Sequence, residues 1–202
     1  GVDIEMIPKT SVPTMQGAGF IWTGASPSLM SIPAKKPAYE IRTEHVLPEA
    51  LKDSPVNVFS YLIHGHKYMT AAWTEMRRNN KYELDAACTS AYDYDLQEFV
   101  PTLEEIQLTG GDKLTTRCVY DSSSSDTKIH GGDATQDEMC IIFLMYYPVL
   151  PNPSATFLLN KPISQSDYTE GKHTCGVGGA CGITGKTSST TDTTTMSHAV
   201  LM

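Results

Sequence analysis

Val58-Phe59-Ser60-Tyr61-Leu62-Ile63-His64-Gly65-His66 reads as a β-strand rich in aromatic and branched residues that closes on a His-x-His pair. In an extended strand successive side chains alternate between faces, so His64 and His66 point the same way and together can grip one metal ion. Ordinary strand histidines occur at the same spacing, and a metal site needs a further ligand from another segment.

The neighbouring segments have the same strand-and-turn character. Gly19-Phe20-Ile21-Trp22-Thr23 and Tyr39 to Val46 predict strands, punctuated by Gly17, Gly24, Pro27 and Pro33. Leu47 to Pro55 has room for one helical turn at most. Tyr68 to Met76 is rich in β-formers and Arg77-Arg78-Asn79-Asn80-Lys81 is polar, which predicts a hairpin; the alanines leave a short helix over Thr70 to Arg78 as the alternative. Tyr92 to Gln97 alternates as a strand does, Gly110-Gly111-Asp112 signals a turn before a strand over Lys113 to Tyr120, and Asp121 to Gly132 is a long polar loop. Met139 to Tyr147 is almost wholly apolar, as in a strand buried on both faces. Regularly spaced short strands without a long helical period predict an all-β fold, an antiparallel β-sandwich of jelly-roll type over residues 1–160. From Gly171 the composition turns to Gly, Ser and Thr, so 161–202 reads as a C-terminal extension or flexible tail.

Composition narrows the function classes. With 202 residues, 40% hydrophobic and 19% charged, the chain is long and apolar enough for a packed core. A net charge of -8, with no basic cluster longer than Lys35-Lys36 or Arg77-Arg78, argues against a nucleic-acid partner. No apolar run reaches the roughly 18 residues of a membrane helix. The five cysteines form no Cys-x-x-Cys, which favours disulfides, and with them a secreted, extracellular or organelle-lumen protein. Cys175 and Cys181 flank Gly176-Val177-Gly178-Gly179-Ala180, which is flexible enough to close a small disulfide loop, and Cys88 is then the odd thiol. A chain beginning at Gly1 without an initiator methionine reads as a processed or trimmed product.

A third ligand is available on the apolar strand after the long loop. There Met139, Ile141, Phe143 and Met145 share one face and Cys140, Ile142, Leu144 and Tyr146 the other. A thioether with two imidazoles suits Cu(I) better than zinc, magnesium or calcium, whereas a core methionine is the alternative reading of Met139.

The segment Gly131 to Cys140, followed by Tyr146-Tyr147-Pro148, resembles the signature of the copper type II, ascorbate-dependent monooxygenases. Ile63-His64-Gly65-His66, Gly110-Gly111-Asp112 and Cys118-Val119-Tyr120 match further motifs of that family's C-terminal copper domain in order and approximate spacing. The resemblance implies that His64, His66 and Met139 hold the copper at which dioxygen is reduced for C–H hydroxylation, with ascorbate as electron donor. It also implies a disulfide between Cys118 and Cys140, which would tie down the start of the methionine strand. It implies as well a partner: the family's reaction uses an N-terminal copper domain, here separate or removed. In the peptide-amidating members an arginine, an asparagine and a tyrosine hold the substrate's carboxylate. The matching positions are Leu62, Ile141 and Phe143, so the substrate face, which includes Met145, is apolar and disfavours a carboxylate. Two readings follow: the dioxygen-binding half of a copper monooxygenase, incomplete as a catalyst without its partner domain, or a non-catalytic copper-binding or assembly subunit of a larger extracellular or lumenal complex.

Overall fold

Two five-stranded sheets face one another in the computed structural model, which describes residues 17–151, 156–169, 173 and 175. The first sheet has the order β11 (Phe157–Asn160), β1 (Gly19–Ala25), β10 (Cys140–Tyr147), β4 (Val56–His64) and β7 (Val100–Leu108). The second has the order β12 (Ser164–Asp167), β3 (Tyr39–Val46), β8 (Lys113–Tyr120), β5 (Met69–Arg78) and β6 (Lys81–Thr89). Strands β2 (Ser31–Ile32) and β9 (Ile129–His130) form a small ribbon beside them. Neighbouring strands within the two sheets are antiparallel except β1 and β11, which run parallel. The fold is an all-β sandwich.

Alternation along β1 and β10 builds its interior. Ile21, Thr23 and Ala25 are buried, as are Cys140, Ile142, Leu144 and Tyr146, while Phe20, Trp22, Phe143 and Met145 between them stay at least partly accessible. From the second sheet Ile41, Ala72, Leu114 and Tyr120 complete the core. A buried hydroxyl chain crosses it: Thr23 Oγ1 lies 2.8 Å from Thr116 Oγ1, which lies 2.9 Å from Thr74 Oγ1. Each hydroxyl thereby finds a partner that an apolar core would deny it. The Cys118–Cys140 disulfide also crosses between the sheets, from β8 to β10, rather than joining adjacent strands.

Several sequence expectations are corrected here. The alternation of Tyr92 to Gln97 belongs to a turn, in which the Asp93 carboxylate accepts the Asp95 N–H at 3.0 Å and the Asp93 carbonyl that of Leu96 at 3.2 Å. The hairpin expected here is present, and the alternative short helix is not: Thr70 to Arg78 is strand, because Asn79 and Asn80, at φ 53° and 63°, form the two-residue turn that folds β5 onto β6. Cys175 does not pair with Cys181: it bridges to Cys88 on β6. Over the second sheet Tyr168 packs against Trp73 and the His173 ring stacks on it at 4.2 Å, two residues before Cys175. Cys181 and the Gly/Ser/Thr-rich tail lie outside the described residues. Past residue 160 the chain still contributes β12, paired with β3.

Candidate metal centre

Strand β4 delivers His64 to the outer face of the first sheet, where it pairs with Ile141 of β10. The strand stops there, so His66 is not carried to that face by strand alternation. What holds His66 is Glu138, a fully buried carboxylate at the entrance to β10. It accepts the backbone N–H of His66 at 2.9 Å, of Tyr68 at 2.6 Å and of Met139 at 3.2 Å. One carboxylate therefore ties the histidine loop and the methionine to a common point, and its three bonds take up N–H groups that would otherwise continue a ladder. Burial raises the Glu138 pKa, against which its backbone donors and His66 act.

The two imidazoles stand nearly perpendicular, at 87° with centroids 5.5 Å apart. Each has its Nδ1 engaged on the protein side. His64 Nδ1 lies 2.6 Å from Gln97 Oε1, and the Gln97 amide is oriented by its Nε2 donating to the Tyr94 carbonyl at 3.0 Å. His66 Nδ1 lies 2.8 Å from the Asp137 carbonyl oxygen. Both partners are acceptors, so both Nδ1 atoms carry the proton and both Nε2 lone pairs are left for a metal. This orientation of imidazoles by outer acceptors is what a metal site requires; Met139 is tied to the same Glu138 carboxylate through its backbone N–H.

Two tyrosines brace the backbone beside these residues. Tyr92 donates to the Gly65 carbonyl at 2.8 Å and accepts from the Gly65 N–H at 3.0 Å, and Tyr120 donates to the Met139 carbonyl at 2.8 Å. Burial pushes the Tyr92 pKa up to about 12 and that of Tyr120 well above its ordinary value, so both remain protonated donors. A Cβ at Gly65 would lie 2.2 Å from Met69 Cε and 3.1 Å from the Met139 carbonyl oxygen, so a larger residue there needs the end of the Met69 side chain to shift.

The residues read as a substrate face lie together beside His64. Leu62 pairs with Phe143, Ile141 with His64, and Met145 with Ser60 on one side and Phe20 on the other. The aromatic surface continues across β1 and β11, with Trp22 and Phe143 rings 4.7 Å apart and Trp22 and Phe157 rings 5.4 Å apart. A cavity of about 220 Å³ lined by Tyr61, Ile63, Tyr92 and Leu96 is a separate feature, because Ile63 and Tyr61 belong to the buried side of β4. Gln97, Glu138, Tyr92 and Asp137 were not legible as site residues, although Glu138 and Asp137 sit beside Met139 in sequence. Nothing in the spacing marks Gln97, 33 residues from His64.

Comparison with known proteins bears on the family of the chain. Residues 16–162 match the family model described as copper type II ascorbate-dependent monooxygenase, C-terminal domain. The chain is 33% identical over 138 residues, 65% of its length, to DBH-like monooxygenase protein 1 of Gallus gallus, covering 22% of that protein. It is 27% identical over 123 residues, 59% of its length, to dopamine beta-hydroxylase of Canis lupus familiaris, covering 20% of it. To peptidylglycine alpha-amidating monooxygenase of Rattus norvegicus it is 30% identical over 93 residues, 46% of its length, covering 9% of it. The chain thus spans about a fifth or less of the length of these relatives. It belongs to the copper type II ascorbate-dependent monooxygenase family and carries that family's C-terminal domain.

Proposed function

We propose that His64, His66 and Met139 hold the copper of an ascorbate-dependent monooxygenase at which dioxygen is bound and a substrate C–H bond is hydroxylated. The observation that carries this reading is the pair of imidazoles whose Nδ1 atoms are both engaged, beside a methionine anchored by the same Glu138 carboxylate. Copper supplies the one-electron chemistry and the activation of dioxygen. The chain's own residues orient the ligands, and Leu62, Ile141, Phe143 and Met145 present an apolar wall beside them. A carboxylate set against that wall would meet no cation, so an uncharged, hydrophobic substrate is favoured over a peptide carboxylate. Hydroxylation consumes dioxygen, two electrons and two protons and releases one water; a second copper domain, on the same or another chain, passes the electrons from ascorbate. The two disulfides fit a secreted or lumenal protein.

The test is copper titration of this domain followed by oxygen uptake in the two-domain protein. One copper per chain, loss of tight Cu(I) binding in Met139→Ile, and ascorbate-dependent oxygen consumption are expected. Absence of uptake in the two-domain protein would overturn the enzymatic reading. The exposed rings of Phe20 and Phe157, 40% and 58% accessible, favour a second reading, a copper-binding or assembly subunit whose aromatic face packs on another protein. Stoichiometric recovery in a native complex that Met139→Ile leaves intact would favour that role.

A further inference from the structure

A second group of metal-binding side chains lies over the opposite sheet, around the Cys88–Cys175 bridge. Asp85 Oδ2 is 3.0 Å from His173 Nε2, and ligating atoms of Asp85, Cys88 and His173 all lie within 4.8 Å of one another. The Cys175 sulfur, bonded to that of Cys88, brings a fourth donor to the same point. The other Asp85 oxygen, Oδ1, is buried without a hydrogen-bond partner among the described residues, on a residue only 5% accessible. An unpaired carboxylate oxygen in such a place is costly, and a cation would satisfy it. The stacking of His173 on Trp73, with ring planes 3° apart, fixes the plane of the imidazole.

We propose that this cluster is a redox-gated zinc site. With the disulfide closed, it clamps the C-terminal segment to β6. With the disulfide reduced, Asp85, Cys88, His173 and Cys175 bind one Zn²⁺. One carboxylate, one imidazole and two thiolates make a four-coordinate zinc set. A dithiol is the reductant: its two S–H groups become a cyclic disulfide, and the Cys88–Cys175 bond takes up the two electrons and two protons. Zn²⁺ then displaces those two protons as it binds the thiolates. Reduction is selective because Cys175 is partly accessible, whereas Cys118 and Cys140 are both 0% accessible.

The experiment uses the full chain carrying His64→Ala, His66→Ala and Cys181→Ser, which removes the candidate copper ligands and the fifth thiol. After dithiothreitol and anaerobic desalting, Zn²⁺ is titrated against a chromophoric chelator. One Zn²⁺ per reduced chain is expected, none on the oxidised chain, and affinity at least about tenfold weaker when Asp85→Asn or His173→Gln is added. Co²⁺ on the reduced background should show tetrahedral d–d bands with thiolate charge transfer, a readout independent of those two added variants. Failure of the reduced chain to take up zinc would overturn the proposal, as would equal binding by the oxidised chain or undiminished affinity in variants whose oxidised form has the parental circular dichroism.

Discussion

Gln97 and Glu138 do at single positions what the two histidines cannot do alone. The Gln97 carbonyl oxygen accepts a hydrogen bond from the His64 Nδ1–H and so leaves the Nε2 lone pair free. Gln97→Leu should therefore weaken copper binding by about 10–100-fold while Gln97→Glu, which keeps an acceptor, largely preserves it. Competition titration with a Cu(I) chelator measures this, and an unchanged affinity in Gln97→Leu would show that the bond does not position the ring. His45 supplies a titration away from the metal ligands. It is buried between β3 and β11, with the Asn160 amide 3.2 Å from its Nδ1, and burial lowers its pKa against the opposing influence of the Gly24 carbonyl and Glu44. The unfolded chain then binds more protons than the folded one at pH values between the two His45 pKa values. The stability due to neutral His45 is complete above its ordinary pKa of about 6.5 and is lost as pH falls below it. Urea unfolding at about pH 7.5 and about pH 5.5 should show a smaller acid loss in His45→Gln than in the parent.

At the scale of elements, the β1–β10 pairing sets the metal face, and Gly24 is its tightest point. Its φ of 138° lies where side chains are strained, and a Cβ would stand 2.0 Å from the Cys140 carbonyl oxygen. Gly24→Ala should cost at least about 1–3 kcal/mol and shift the start of β10, just after Met139. Denaturant unfolding gives the cost, and full parental stability would refute the close approach. The strands over Tyr39 to Val46 and Lys113 to Tyr120 were legible to the residue, since each is flanked by turn formers and rich in β-formers. Strand β7 was not legible: Glu104 and Glu105 interrupt its apolar pattern and Pro101 removes a donor, both tolerated because β7 is an edge strand. Tyr92 to Gln97 misled in the opposite direction, because an alternation of aspartates with apolar residues is shared by strands and by Asx turns.

Across the whole molecule the two disulfides have different tasks. Cys118–Cys140 locks one sheet to the other at the residue after Met139, and closes a segment of 22 residues. Replacing both cysteines by alanine should cost roughly 2–5 kcal/mol and lower copper affinity together with stability. A variant with parental unfolding free energy would show that the Thr23, Thr116 and Thr74 contacts suffice to hold the sheets in place. Cys88–Cys175 instead fastens the C-terminal segment onto the outer face of the second sheet, over Trp73.

By itself the sequence determined the fold class, because period-two patterning and turn residues are local properties of the chain; motif order carried the family resemblance, and only that resemblance implied the Cys118–Cys140 pair. His64 and His66 were picked out by their spacing, and Met139 as a candidate third ligand by the resemblance. Only the tertiary structure decided that His66 is held by Glu138 rather than by strand geometry, that Gln97 orients His64, and that Cys175 meets Cys88. Those contacts join residues 33 to 87 positions apart, and such distances close only when two sheets pack and buried polar groups must find partners.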